Sequence, residues 1–142
     1  MAENKLIPLA VPDIGDEENE EIKKVMSTGF LTEGATTKEF EQMVADYLGV
    51  KHAIAVTSCT TGLHAVLHSL DIKGQEVIVP DYTYPATAEA VVLAGGIPVL
   101  ADVDLESMNM TAEILEEAYN EKMTVFSPVS WAGVPLEKEI YQ

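Results

Sequence analysis

From residue 52 onward, short apolar runs alternate with helical periods, and this alternation is the strongest constraint on the fold. The runs His52–Val56, Glu76–Val79, Ile97–Ala101 and Met123–Phe126 read as strands. Between them, Thr60–Leu70, Pro85–Ala94 and Thr111–Tyr119 carry apolar residues at helical spacing. Strand–helix alternation of this kind predicts parallel pairing through helical crossovers, an α/β fold. Wholly apolar strands such as Val77-Ile78-Val79 suit a sheet covered on both faces. In open α/β sheets a ligand binds beyond the carboxyl ends of the strands. The segments at those ends are 57–61, 80–85, 102–104 and 127–133.

The first 50 residues read differently. Residues 1–15 carry Pro8, Pro12 and Gly15 and read as an extended arm. Asp16–Met26 reads as a helix with Ile22, Val25 and Met26 on one face. Phe30 and Leu31, inside the glycine-bracketed loop Gly29–Gly34, read as core plugs. A second helix follows, capped by Thr36 or Thr37 and ended by Gly49. Its apolar face is Phe40, Met43, Val44, Tyr47 and Leu48. The expected division is therefore an arm with helices over 1–50 and an α/β domain over 51–142.

The most informative stretch is Val56-Thr57-Ser58-Cys59-Thr60-Thr61-Gly62. A strand that turns into a helix leaves backbone N–H groups without partners at the helix start. Those donors and the positive end of the helix dipole favour an anion, commonly a phosphate. Two readings stay open: an anion cradle to which Thr57, Ser58, Thr60 and Thr61 add hydroxyls, or simple capping by Ser58 or Thr60. Tyr82 and Tyr84 follow the strand at 76–79. Their rings either stack on a flat ligand near the cradle or pack in the core.

Charge narrows the partners. The 142-residue chain has a formal net charge of −16, with eight lysines and no arginine. Such a surface repels nucleic acid and anionic membranes. It also lacks the bidentate clamp for carboxylates and phosphates, so an anion must rely on backbone N–H groups, hydroxyls and lysines. The single Cys59 excludes an internal disulfide and, with no signal-like N-terminus, points to the cytoplasm. At a helix start with no paired histidine nearby in sequence, Cys59 is expected to be a small packed residue, not a nucleophile. His64 and His68 have the spacing of two metal ligands but no third, and no metal site is expected. Asp102 and Asp104 follow a strand and read as a solvated loop before an acid–base pair.

Seven segments together carry a resemblance: Gly29-x-Leu-Thr-x-Gly34, Glu39-Phe40-Glu41, Tyr47-Leu48-Gly49-Val50-Lys51-His52, Ser58-x-Thr60-x-Gly62-Leu63-His64, Glu76–Pro80, Thr83-Tyr84-x-Ala86-Thr87 and Pro128-Val129-x-x-Ala132-Gly133-x-Pro135. In order and spacing the chain resembles the DegT/StrS sugar aminotransferases, pyridoxal-phosphate enzymes of fold type I. The resemblance implies the N-terminal part of that fold's large domain, a mostly parallel sheet with flanking helices. It implies amino transfer from glutamate to a nucleotide-linked keto sugar, as in polysaccharide biosynthesis, by a homo-oligomer such as a dimer. It places Ser58, Thr60 and Thr61 at the cofactor phosphate, Tyr84 on the pyridine ring, and Thr32 and Trp131 toward the substrate. Ser130 and Trp131 stand where the family often has His and Tyr.

Family members run to more than twice this length. The resemblance puts the lysine that joins the cofactor, and the aspartate facing the pyridine nitrogen, beyond residue 142. The chain is therefore expected to be inactive by itself. Related alternatives are a sugar dehydratase of the same family, with histidine in place of that lysine, and a non-catalytic homologue that acts by chain association. An unrelated nucleotide-binding α/β domain is a third. The resemblance also separates the strand at 52–56 from the other three by strands later in sequence. Two outcomes follow: self-association through unpaired edges, or a rearranged sheet in which 52–56 pairs with one of the other three.

Overall fold

A computed structural model describes residues 6–8 and 10–141. The first five residues and Leu9 of the expected arm lie outside the described residues, and 6–8 and 10–15 carry no regular element. The chain divides into two compact units between Ala55 and Val56.

The first unit holds two helices, α1 (Asp16–Thr28) and α2 (Ala35–Leu48). The carboxylate of Glu18 accepts the N–H of Gly15 at 2.7 Å and closes the start of α1. Three acids in the first turn favour the positive end of its dipole. Neither Thr36 nor Thr37 caps α2. Its N-cap is Gly34, and no side chain caps it. Gly49 ends the helix at φ 66, a conformation that costs little only without a Cβ. The expected core face is not a core here. Phe40, Met43, Tyr47 and Leu48 are exposed, as are Phe30 and Leu31. Ala45 is the one described residue of these two helices that is buried. Helical spacing marks an apolar stripe but says nothing about what covers it.

In the second unit, α3 (Cys59–Ser69), β1 (Glu76–Pro80), α4 (Ala86–Leu93), β2 (Ile97–Ala101), α5 (Ala112–Ala118) and β3 (Met123–Phe126) follow in order. The strands form a parallel sheet with β1 in the centre, in the order β2-β1-β3. The stretch 52–56 is no strand. Its residues pair with nothing in the sheet, and Ile54 is 80% exposed. β-branched sequence supplies strand propensity, but a ladder needs a neighbour. The rearranged pairing is therefore absent from this chain.

Strand alternation sends Val77 and Val79 to one face of β1 and Ile78 to the other. Val77 and Val79 pack with Leu67 of α3, with Ala90 and Val91 of α4 and with Ala94, which caps the end of α4. Ile78 packs with Ala101, Met110 and Met123. Ile114, Leu115 and Ala118 of α5 close over that second cluster. Both faces are thus covered, as the apolar run implied. Two 3₁₀ turns, Trp131–Gly133 and Lys138–Tyr141, complete the unit. The second buries Ile140.

Gly96 fixes the turn from α4 into β2. Its N–H donates to the carbonyl of Val91 at 2.9 Å. A Cβ at this position would lie 2.7 Å from Ile72 Cδ1 and 3.0 Å from Val91 Cγ1. Both neighbours are core residues with no room to retreat. Gly96→Ala is expected to destabilise the fold by about 1–3 kcal/mol through overpacking. Urea unfolding followed by far-ultraviolet circular dichroism checks this; an unchanged midpoint would contradict the packing described.

Candidate functional site

The α3 start is a closed hydrogen-bond box. Ser58 is the N-cap, in extended conformation, and its Oγ accepts the N–H of Thr61 at 3.1 Å. Thr61 Oγ1 accepts the N–H of Ser58 at 3.1 Å and donates to the Ser58 carbonyl at 2.8 Å. The N–H of Gly62 donates to the same carbonyl. Ser58 therefore caps the helix, and Thr61 is its reciprocal partner. The cap leaves the N–H groups of Cys59 and Thr60 without an intrahelical acceptor, because they belong to the first turn. Capping and the cradle are not rivals here: the box uses Ser58 and Thr61, and the two remaining amides stand at the positive end of an eleven-residue helix. The Thr60 hydroxyl adds a donor beside them.

The site residues fall in three places. Cys59 is exposed at the first position of α3, not packed as expected: it shares the face of Leu63 and Leu67, but the core cluster closes over Leu67 and not over the first turn. A groove of about 410 Å3 runs between α3 and β3, lined in part by Cys59, Gly62, Phe126 and Ser127. It sets the α3 start beside the carboxyl end of β3. Tyr84 lies between β1 and α4 and is 77% exposed. Its carbonyl accepts the N–H of Thr87. The hydroxyls of Thr83 and Thr87 bond to each other at 2.9 Å and brace this corner. Tyr82 is exposed too and meets Trp131, ring centroids 4.6 Å apart and tilted by 51°. Neither tyrosine is a core residue. Thr32 lies in the first unit, on a concavity of about 770 Å3 shared with Phe30, Leu31 and Lys38.

Sequence reasoning missed Asn109. This residue is buried, and its side chain holds the backbone of the Trp131 turn 22 residues away. An asparagine in a loop after a strand carries no local sign of such a role.

Asp102 and Asp104 are both held within their own loop. Asp104 Oδ2 accepts the N–H groups of Ser107, at 2.8 Å, and Glu106. The Ser107 donors hold its carboxyl below the ordinary value of 3.8. Asp102 accepts the N–H of Val103. Each aspartate is thus engaged by backbone donors of its own loop. The His64 and His68 rings lie 6.0 Å apart on α3. No group of three or more His, Cys, Asp or Glu among the described residues is placed to hold a metal. No helix among the described residues is long and apolar enough to cross a membrane.

The Asp104 bonds carry a sign with pH. A carboxyl whose folded value is depressed stabilises the fold above its unfolded value, and loses that contribution as pH falls through the folded one. In Asp104→Asn, the stability deficit relative to the parent is expected to be largest above pH 3.8 and to shrink below it. Thermal unfolding between pH 6 and roughly pH 2.5 checks this; a deficit independent of pH would contradict the assigned bonds.

Comparison with known proteins places this arrangement. The sequence profile of the DegT/DnrJ/EryC1/StrS aminotransferase family matches residues 12–140. An uncharacterized protein of Methanocaldococcus jannaschii is 37% identical over 140 residues, which are 98% of this chain and 36% of that protein. Among solved structures, a Streptococcus pneumoniae protein assigned as a sugar aminotransferase superposes in its pyridoxamine-phosphate form with a TM-score of 0.89. It is 33% identical over 96% of this chain and 35% of its own, and its pyridoxal-phosphate and cofactor-free forms match as closely. A DegT/DnrJ/EryC1/StrS aminotransferase from Brucella abortus gives a TM-score of 0.81 at 35% identity, over 89% of this chain and 36% of that one. The chain thus spans about a third of the length of these relatives. Its parallel sheet matches the fold of solved sugar aminotransferases, and it belongs to the DegT/DnrJ/EryC1/StrS aminotransferase family.

Proposed function

We propose that this chain is the cofactor-binding N-terminal part of a pyridoxal-phosphate-dependent sugar aminotransferase. The reaction, amino transfer from glutamate to a nucleotide-linked keto sugar, is proposed for the enzyme as a whole. Cofactor binding is proposed for this part. The homo-oligomer and the cytoplasmic setting belong to the same reading.

The observation that carries it is the α3 start. A phosphate needs converging donors and positive potential. The uncapped amides of Cys59 and Thr60 and the Thr60 hydroxyl supply them, and Ser58 and Thr61 lock their orientation. These residues fit the phosphate of the cofactor, and no arginine is needed. The exposed ring of Tyr84 fits a stacking role on the pyridine. Trp131 is a proposed substrate contact of this unit, and Thr32 is proposed as a substrate contact on the family resemblance alone. When bound, the cofactor supplies an electron sink for amino transfer. The part of this chain is to hold the phosphate and orient the ring.

Titration of the labelled chain with inorganic phosphate, then with pyridoxal phosphate, tests this by amide chemical shifts. The Cys59 and Thr60 amides are expected to move most, with smaller shifts at Ser58 and Thr61, whose N–H groups are already bonded. No shift at millimolar ligand would overturn the assignment.

A further inference from the structure

Beyond the cradle, the same carboxyl edge of the sheet carries a second built feature. Trp131 follows β3 and Tyr82 follows β1, and the two rings meet 4.6 Å apart between centroids. Both rings keep surface open to solvent, Tyr82 at 46% and Trp131 at 37% relative exposure. The pair is not held by its own packing alone. The N–H of Trp131 donates to Asn109 Oδ1 at 2.7 Å, and Asn109 Nδ2 donates to the Val134 carbonyl at 3.3 Å. One buried amide thus grips both ends of the turn that presents the indole.

That turn is strained. Ala132 has φ 50 and Gly133 has φ 77, consecutive left-handed residues of which only the second is a glycine. Such a conformation persists where surrounding bonds over-determine it, and such sites often serve a ligand. Asn109 is itself fixed. It follows Met108 at φ 56, its own N–H donates to Ser107 Oγ, and its carbonyl accepts the N–H of Asp104. A buried side chain, an engaged loop and a strained turn all serve to hold one half-exposed indole against one half-exposed phenol. A core contact would be buried, and an idle surface residue would not be fixed at both ends.

We propose that Tyr82 and Trp131 form an aromatic ledge that stacks on a flat ring of the substrate, and that Asn109 is the positioning residue that builds it. The ligand chemistry is a ring with an open face, either a nucleobase or the apolar face of a hexose. Stacking on aromatic side chains tolerates either, because the attraction is to the ring face. The proposal rests on the reading of the chain as part of a sugar aminotransferase. Its test separates the two.

Trp131 is the single tryptophan of the chain, so its fluorescence reports the ledge alone. The 142-residue chain is titrated with purine and pyrimidine nucleoside monophosphates in one arm and with a free hexose in the other. Inorganic phosphate is the control for anion binding. Saturable change of Trp131 emission in at least one ring arm, absent with phosphate, is expected; the responding arm identifies the ring. Tyr82→Leu keeps both Asn109 bonds and is expected to weaken that response at least about fivefold. Asn109→Ala is expected to weaken it similarly and to raise acrylamide quenching of Trp131, with an unchanged far-ultraviolet spectrum. Where Asn109→Ala fails to fold, Tyr82→Leu decides. No saturable response in either arm overturns the proposal, as does a response that Tyr82→Leu leaves intact. Amide shifts at Cys59 and Thr60 with phosphate, recorded on the same sample, report the cradle separately. A silent ledge above a working cradle refutes this inference alone, and a working ledge above a silent cradle refutes the cofactor reading alone.

Discussion

Val77, Ile78 and Val79 are withdrawn from water on both faces of β1, and the two apolar clusters they join hold three helices against the sheet. Full burial of one such side chain is worth about 1.5–3 kcal/mol. Three in succession make β1 the axis of the second unit. Its position in the centre of a parallel sheet has a functional consequence. Parallel strands deliver their carboxyl ends to one edge, so the residues after β1 and after β3 arrive together. Tyr82 and Tyr84 come from the first of these loops, and Ser127 and Trp131 from the second. Leu67 anchors α3 to the Val77 and Val79 face, and the groove between α3 and β3 brings the helix start to the same edge.

At that edge the proposed phosphate site needs no basic side chain, in a chain of acidic composition. A helix start presents N–H groups whether or not the surface is acidic. Ser58 and Thr61 satisfy each other and fix the first turn, and the amides of Cys59 and Thr60 belong to that turn and have no acceptor within the helix. The entropy of ordering the donors is met during folding, so the proposed phosphate would find them already oriented. A lysine or arginine clamp would hold an anion more strongly, but it would lose side-chain freedom on binding.

The strands and helices of the second unit were legible because each has a period and a boundary. Val77-Ile78-Val79 ends at Pro80, and Thr111 caps α5 through the N–H of Ile114. The hydroxyl cluster at 57–61 was legible as a helix start, although sequence could not say which of its members closes the cap. That is a matter of which oxygen reaches which N–H. Four features were not legible. The stretch 52–56 has strand composition but no strand beside it, and pairing is a property of two segments. Phe40, Met43 and Tyr47 mark a face without naming its cover. Asn109 acts on Trp131 across 22 residues, and Tyr82 meets Trp131 across a strand order that only the fold supplies.

The central claim is that the first turn of α3 is a phosphate site made of backbone. The measurement that reaches it most directly is a crystal structure of this chain grown with phosphate or pyridoxal phosphate. The expected result is a phosphate oxygen within about 2.7–3.2 Å of the Cys59 and Thr60 nitrogens, with the bonds between Ser58 and Thr61 intact. A phosphate bound elsewhere, or those two amides facing only water at saturating ligand, would contradict it.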